Sequence, residues 1–220
     1  MSVLAAAAIL VELFTSEGCS SCPPADATLA RLHQAQPVPG VRLLVLSEHV
    51  DYWNGQGWKD PFSSAQFTAR QGRYGDRMYT PQAVVDGHID VLGSDEEGIV
   101  RAARGAALEP HGTITVTRAP GGHRLHLAAS ALPPHGPSRV MLAVVEDGLV
   151  SKVARGENAG RTLSHTAVVR SLEGVGSIPG SSSDWSADVE VPTDASWKQP
   201  RIVAFVQDSR SFRVLAAGAL

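Results

Sequence analysis

The order of apolar and polar positions divides this chain into two unlike stretches. Residues 8 to 15 form an apolar run interrupted by Glu12 and closed by Thr15, the mark of a buried strand. Ala25, Leu29 and Leu32 then recur at helical spacing, so residues 23 to 33 are expected to be a helix. Pro23-Pro24 fits only its first turn, because a proline further inside removes a ladder bond and clashes with the carbonyl four residues back. After the break at Gln36 to Gly40, Val41 to Ser47 reads as a second buried strand, which completes a βαβ unit. Asp60-Pro61 signals a helix over 61 to 74, ending near Gly72 or Gly75. Asp86-Gly87, set between two short apolar runs, signals a hairpin. Ser94 followed by Glu97 has capping-box spacing and opens a helix to about Leu108.

Beyond Pro110 the period changes. Ile114 and Val116, then Leu125 and Leu127, alternate with polar residues, as do Trp185, Ala187, Val189 and Val191. Val140 to Val145 is apolar throughout, and Ile202 to Val206 and Phe212 to Leu215 follow. Short strands separated by Gly/Pro-rich turns predict an antiparallel sandwich. The expected architecture is an α/β domain over 1–109 followed by an all-β, sandwich-like domain over 110–220.

Composition narrows the function classes more than it selects one. A 220-residue chain that is 43% hydrophobic and 19% charged is ordinary for a globular protein. Its net charge of −3 gives no electrostatic reason to expect nucleic acid or an anionic membrane as partner. The longest apolar run, Val3 to Leu13, is too short to span a bilayer and lacks the basic region of a secretory signal. No cofactor is called for, and composition does not set an oligomeric state.

The candidate chemistry lies between the first strand and the first helix, where both cysteines, Cys19 and Cys22, stand in a Cys-x-x-Cys pair. A helix N-terminus stabilises a thiolate through its free N–H groups and its dipole. Two intervening residues let a second thiol resolve a mixed disulfide. Cys19, nearer the turn, is expected to attack as an exposed thiolate, and Cys22 to resolve from a more buried position. Four-ligand zinc would need a second Cys/His pair at suitable spacing, and the eight histidines offer none. The loop from Glu48 to Trp58 follows the second strand and lies beside the cysteines. It is aromatic-rich, so Trp53 and Trp58 either wall a substrate groove or cover the core. His165 alternates with Leu163 and Ala167 and is expected to be a hydrogen-bonded core histidine.

Ile-Leu-Val-Glu-Leu-Phe at 9–14, then Cys-x-x-Cys, then Thr80-Pro81 before a hairpin, resembles the thioredoxin superfamily. The segment from Val11 to Asp26, with Gly156 to His165, more closely resembles an uncharacterised, often secreted bacterial family with a thioredoxin-like domain. The resemblance implies a thioredoxin-like fold for the first domain, and a periplasmic or secreted location. It also implies a cis bond before Pro81, which would face the cysteines, and a Thr80 backbone that receives an extended substrate. Glu12 would be a buried acid that relays a proton to or from Cys22, with a raised pKa. The function expected is thiol–disulfide exchange with protein thiols or disulfides. Two rivals stay open: an adaptor whose cysteines form a static disulfide, and a copper-handling protein that uses both thiolates with His49 or His165.

Overall fold

The strands of this chain build one large mixed sheet rather than a thioredoxin-like α/β sheet followed by a sandwich. A computed structural model describes residues 7–119 and 124–220. The start of the apolar run at 3–13 lies outside the described residues. Thirteen strands and three helices are present among the described residues, so the chain is mostly β and the expected α/β-plus-sandwich class does not hold.

The first half supplies β1 (Ala7–Thr15), α1 (Pro23–Ala35), β2 (Val41–His49), α2 (Ala65–Gln71), β3 (Gln82–Val85), β4 (Ile89–Leu92) and α3 (Glu96–Ala106). β1 and β2 run parallel, and β3 pairs antiparallel with β1. The Asp86-Gly87 turn has positive φ at both residues, 53° and 76°, as a type I′ hairpin requires. Two helix starts differ from expectation. Asp60-Pro61 opens no helix; α2 begins at Ala65, where the Ser64 side chain accepts from the Gln66 N–H. The cap of α3 is Asp95 rather than Ser94, its carboxylate accepting from the Gly98 N–H.

The second half supplies β5 (Thr113–Arg118), β6 (Arg124–Ser130), β7 (Ser138–Glu146), β8 (Leu149–Lys152), β9 (Thr162–His165), β10 (Val168–Ile178), β11 (Trp185–Glu190), β12 (Arg201–Asp208) and β13 (Val214–Ala219). The main sheet runs β13-β12-β7-β10-β2-β1-β3-β4. β10 joins β2 in parallel at Val168 and Ser47 and runs antiparallel to β7, which makes the two halves continuous. β11-β6-β5 form a separate three-stranded sheet, and β8-β9 a two-stranded one.

Core packing explains why a sandwich does not form. Val140, Leu142 and Val144 of β7 pack with β5, β6 and β11, while Ala143 and Val145 join a second cluster on the other face. A strand covered on both faces is apolar at every position, so the unbroken run at 140–145 records two-sided burial. The second cluster brings together Leu10 of β1, Leu44 and Leu46 of β2, Val203 and Phe205 of β12, and Val214 of β13. Strands far apart in the sheet order therefore share one core, and the sheet curls around it. The opposite face of β1 and β2 is covered by α1 and α3, where Val11 and Leu13 meet Ala25, Leu29, Leu32 and Ile99.

Candidate functional site

β1 delivers the chain to a tight turn at Glu17-Gly18, and α1 begins immediately after Cys22, which is its N-cap. Pro23 and Pro24 occupy the first helical positions, where a missing N–H removes no ladder bond. Cys19 and Cys22 are joined as a disulfide, with Cα atoms 5.4 Å apart. The Ser21 hydroxyl lies 3.3 Å from Cys19 Sγ. Burial differs from expectation: both cysteines are 0% exposed, whereas the intervening Ser20 and Ser21 face solvent. Cys19 is therefore not an exposed sulfur in this state.

A buried acid–base cluster lies against the cysteine loop, and sequence reasoning missed most of it. Glu17 Oε1 lies 3.0 Å from His165 Nε2, and Glu17 Oε2 accepts from Trp58 Nε1 at 2.8 Å. Asp60 accepts from the Glu17 N–H and pairs with His49 Nδ1 at 2.7 Å. Asp26, one helical turn beyond Cys22, accepts from the Thr15 hydroxyl and sits 3.8 Å from His165 Nδ1. The His49 and His165 rings meet edge to face at 4.9 Å, with Phe62 against both. In the sequence Asp60 carries only a helix-start signal. Its carboxylate instead fixes the turn before the cysteines.

The charges in this cluster are set by burial and by each other. Burial raises the Asp26 carboxyl above its ordinary value, and His49 and His165 offset this only in part. Burial alone would lower His49 and raise Asp60. Their mutual attraction and hydrogen bond win, holding His49 up and Asp60 down. An unfolded Asp26 titrates near 3.8 and the folded one higher, so between those values the native state binds more protons. Stability then falls as pH rises through that window. Asp26→Asn is expected to remove this fall: over pH 3.5 to 7, the Tm of the native protein should decline relative to the variant. A native Tm that climbs relative to the variant would contradict the assignment.

The residues singled out from sequence are brought together unevenly. Trp58 reaches the cysteine loop through Glu17, and Trp53 Nε1 donates to Thr80 Oγ1 at 2.8 Å. Both tryptophans are half-buried supports of the loops they touch. The Thr80–Pro81 peptide bond is cis and Pro81 is buried. Glu12 is buried, but on the wrong face for a relay to the cysteines. Its neighbours Val11 and Leu13 pack on α1, so Glu12 points to the other side of the sheet. There Arg70 Nε donates to Glu12 Oε1 at 2.6 Å and the Tyr74 hydroxyl to Oε2 at 2.6 Å. Glu48 joins this cluster 3.4 Å from Arg70 Nε, pushed well above the usual carboxylate range by burial and then by Glu12. His165 is a buried, hydrogen-bonded histidine on β9.

The second half contributes one more contact set. Asn158 Nδ2 donates to the carbonyls of Glu17 and Cys19, each at 2.9 Å, and Glu157 Oε2 accepts from the Ser20 N–H at 3.0 Å. Hydrogen bonds from Ser20 lower the Glu157 carboxyl. The signal for these residues was the motif Gly156 to His165, which has no periodicity to assign it a place. Among the described residues no three His, Cys, Asp or Glu side chains converge in a metal-holding group. No helix among them is long and apolar enough to cross a membrane.

A curled mixed sheet with a covered Cys-x-x-Cys disulfide at one helix start defines the class of molecule. Residues 10–207 match the family described as "Protein of unknown function (DUF1223)", and the chain belongs to that family. A similar solved structure is the X-ray crystal structure of protein AGR_C_4864 from Agrobacterium tumefaciens. It is 28% identical, with a TM-score of 0.77 over 96% of this chain and 93% of that one. No curated protein matches.

Proposed function

We propose that this protein is a thiol–disulfide oxidoreductase acting on protein thiols or disulfides through Cys19 and Cys22. The observation that carries the reading is the place of the bond, closed across three residues at the N-terminus of α1. As a staple it achieves little: on a chain-entropy account so short a loop gives about 2 kcal/mol, against about 4.7 for a 100-residue loop. As a redox pair the position is favourable, since the helix start stabilises the thiolate that exchange needs.

In the direction that reduces this protein, a partner thiolate attacks Cys19 Sγ, the Cys19–Cys22 bond breaks and Cys22 leaves as thiolate. The partner's second thiol then displaces Cys19. Two electrons and two protons pass to the pair, and the partner becomes a disulfide. In the reverse direction Cys19 attacks and Cys22 resolves. The Ser21 hydroxyl at 3.3 Å favours Cys19 as the sulfur that carries the mixed disulfide, because it can donate to a Cys19 thiolate.

The motif-level likeness to thioredoxins supports the same reading, with the Thr80 backbone receiving an extended partner beside Pro81. Tyr52 and Met78, both exposed, add apolar surface on the neighbouring loops that would suit a protein partner. Glu12 has no part in this scheme. By resemblance the site of action is the periplasm or outside the cell, where disulfides persist.

The experiment is the reduction potential of the pair in defined thiol buffers. Exchange predicts a value between about −270 and −120 mV, the range of dithiol enzymes. A value below about −300 mV would instead mark a static disulfide, as an adaptor would have, and sink the proposal. Stoichiometric copper on protein prepared reduced, lost together in Cys19→Ser and Cys22→Ser, would replace it with a metal-handling role.

A further inference from the structure

The loop that carries the two buried cysteines is held by chain about 140 residues away. β8 and β9 pair only with each other, forming an arm outside the eight-stranded sheet. The arm leaves β7 through Gly148, φ 70°, and re-enters the sheet through Ala167, φ 53°. Left-handed backbone at both ends marks two sharp turns, and β9 packs against α1.

At the tip of the arm, Gly156 and Gly160 both have φ 79°, and Asn158 sits between them, itself buried. Arg161 donates to Asn158 Oδ1 at 2.8 Å, which aims the amide NH2 at the carbonyls of Glu17 and Cys19. The side chain thus meets three hydrogen-bond partners, and two of them belong to the loop that holds the disulfide. Glu157 on the Ser20 N–H fastens the residue after Cys19 as well.

We infer that Asn158 is a positioning residue that keeps the β8–β9 arm closed over the Cys19–Cys22 disulfide, so that thiol–disulfide exchange proceeds through an opened arm. The inference rests on the proposed exchange reaction only in taking this bond as the reacting group. It reconciles a redox position with sulfurs that no thiol can reach in the closed state. Local opening of a cooperative unit, without global unfolding, is the ordinary way a buried bond becomes reactive.

The test uses the oxidised full chain and dithiothreitol, so it needs no partner protein. A dithiothreitol thiolate attacks one sulfur, the disulfide opens, and the second dithiothreitol thiol releases the protein as a dithiol while the reagent cyclises. Alkylation and mass spectrometry read the fraction reduced against time. Loss of two buried hydrogen bonds in Asn158→Ala is expected to raise the rate at low dithiothreitol roughly tenfold. Arg161→Ala, which leaves the amide in place but unaimed, should accelerate less. Val116→Ala, in the three-stranded sheet, is the control for general loss of stability and should reduce at the native rate. Native rates in both Asn158→Ala and Arg161→Ala would overturn the inference, as would equal acceleration by Val116→Ala. Should Asn158→Ala fail to fold, Arg161→Ala alone decides, and a native rate there counts against it. A potential below −300 mV defeats the enzyme reading and leaves these rates unchanged, so the two failures are distinct.

Discussion

Replacement of Arg70 by alanine is expected to destabilise the fold by about 3–5 kcal/mol, the range for stripping one partner from a buried ion pair. Arg70 reaches from α2 into a cluster built by β1, β2 and β12, and it is the cation there. Its Nε lies 2.6 Å from Glu12 and 3.4 Å from Glu48, both fully buried, and its Nη2 donates to the Tyr74 hydroxyl at 2.7 Å and to Gln207 Oε1. The guanidinium also lies over the rings of Tyr74 and Phe205. Alanine removes the charge paired with the Glu12 carboxylate, a donor beside Glu48, and the packing of a long side chain. A total stability of 5–15 kcal/mol makes such a loss a large fraction of the whole. Adding Glu12→Gln to the Arg70→Ala variant should recover part of it, because a neutral amide in the same place needs no counter-charge. Urea denaturation of both variants checks this. A loss under about 1 kcal/mol for Arg70→Ala, the scale of an exposed pair, would mean that the cluster is solvated after all.

That cluster also shows where sequence reading ends. Glu12 drew its expected role from its match to the buried acid of thioredoxins, whereas its partner Arg70 lies 58 residues on, in a helix with no distinguishing pattern. Resemblance gave this carboxylate a proton-relay role, and the fold pairs it with Arg70 and Tyr74 instead. What local chemistry dictates was readable. The strand before the cysteines, the helix opening at Pro23-Pro24 and the Asp86-Gly87 hairpin all depend on residues within a few positions of one another. What depends on distant pairing was not readable. β10, Val168–Ile178, carries Glu173, Gly174 and Gly176 and has no clean alternation, yet it links the halves by joining β2 at a single register position. Without that strand the apolar run of β7 looked like one layer of a sandwich. Its two-sided burial, recorded in the unbroken run at 140–145, pointed toward a central strand instead. Asn158 lay inside a segment that carried family resemblance, and only the fold shows that it rests on Cys19.

The second large effect concerns the cysteines themselves. Exchange passes through a mixed disulfide, which persists when the resolving thiol is removed. With Cys22 replaced by serine, Cys19 keeps the Ser21 hydroxyl beside its sulfur and has no second thiol to release a bound partner. Covalent complexes with substrate proteins are expected to accumulate to many times the native level. In Cys19→Ser, the remaining thiol, that of Cys22, lacks the Ser21 hydroxyl beside it, so little should be trapped. Exposure does not create this asymmetry, since both sulfurs are equally covered; the hydroxyl beside Cys19 does. A static disulfide predicts no asymmetry, only a similar and modest loss of stability in the two variants.

The most direct measurement is a non-reducing gel, with mass spectrometry of the bands, on Cys22→Ser and Cys19→Ser recovered from the cells that make them. The account predicts reductant-sensitive complexes through Cys19 in Cys22→Ser and few in Cys19→Ser; equal trapping in both, or none in either, would contradict it.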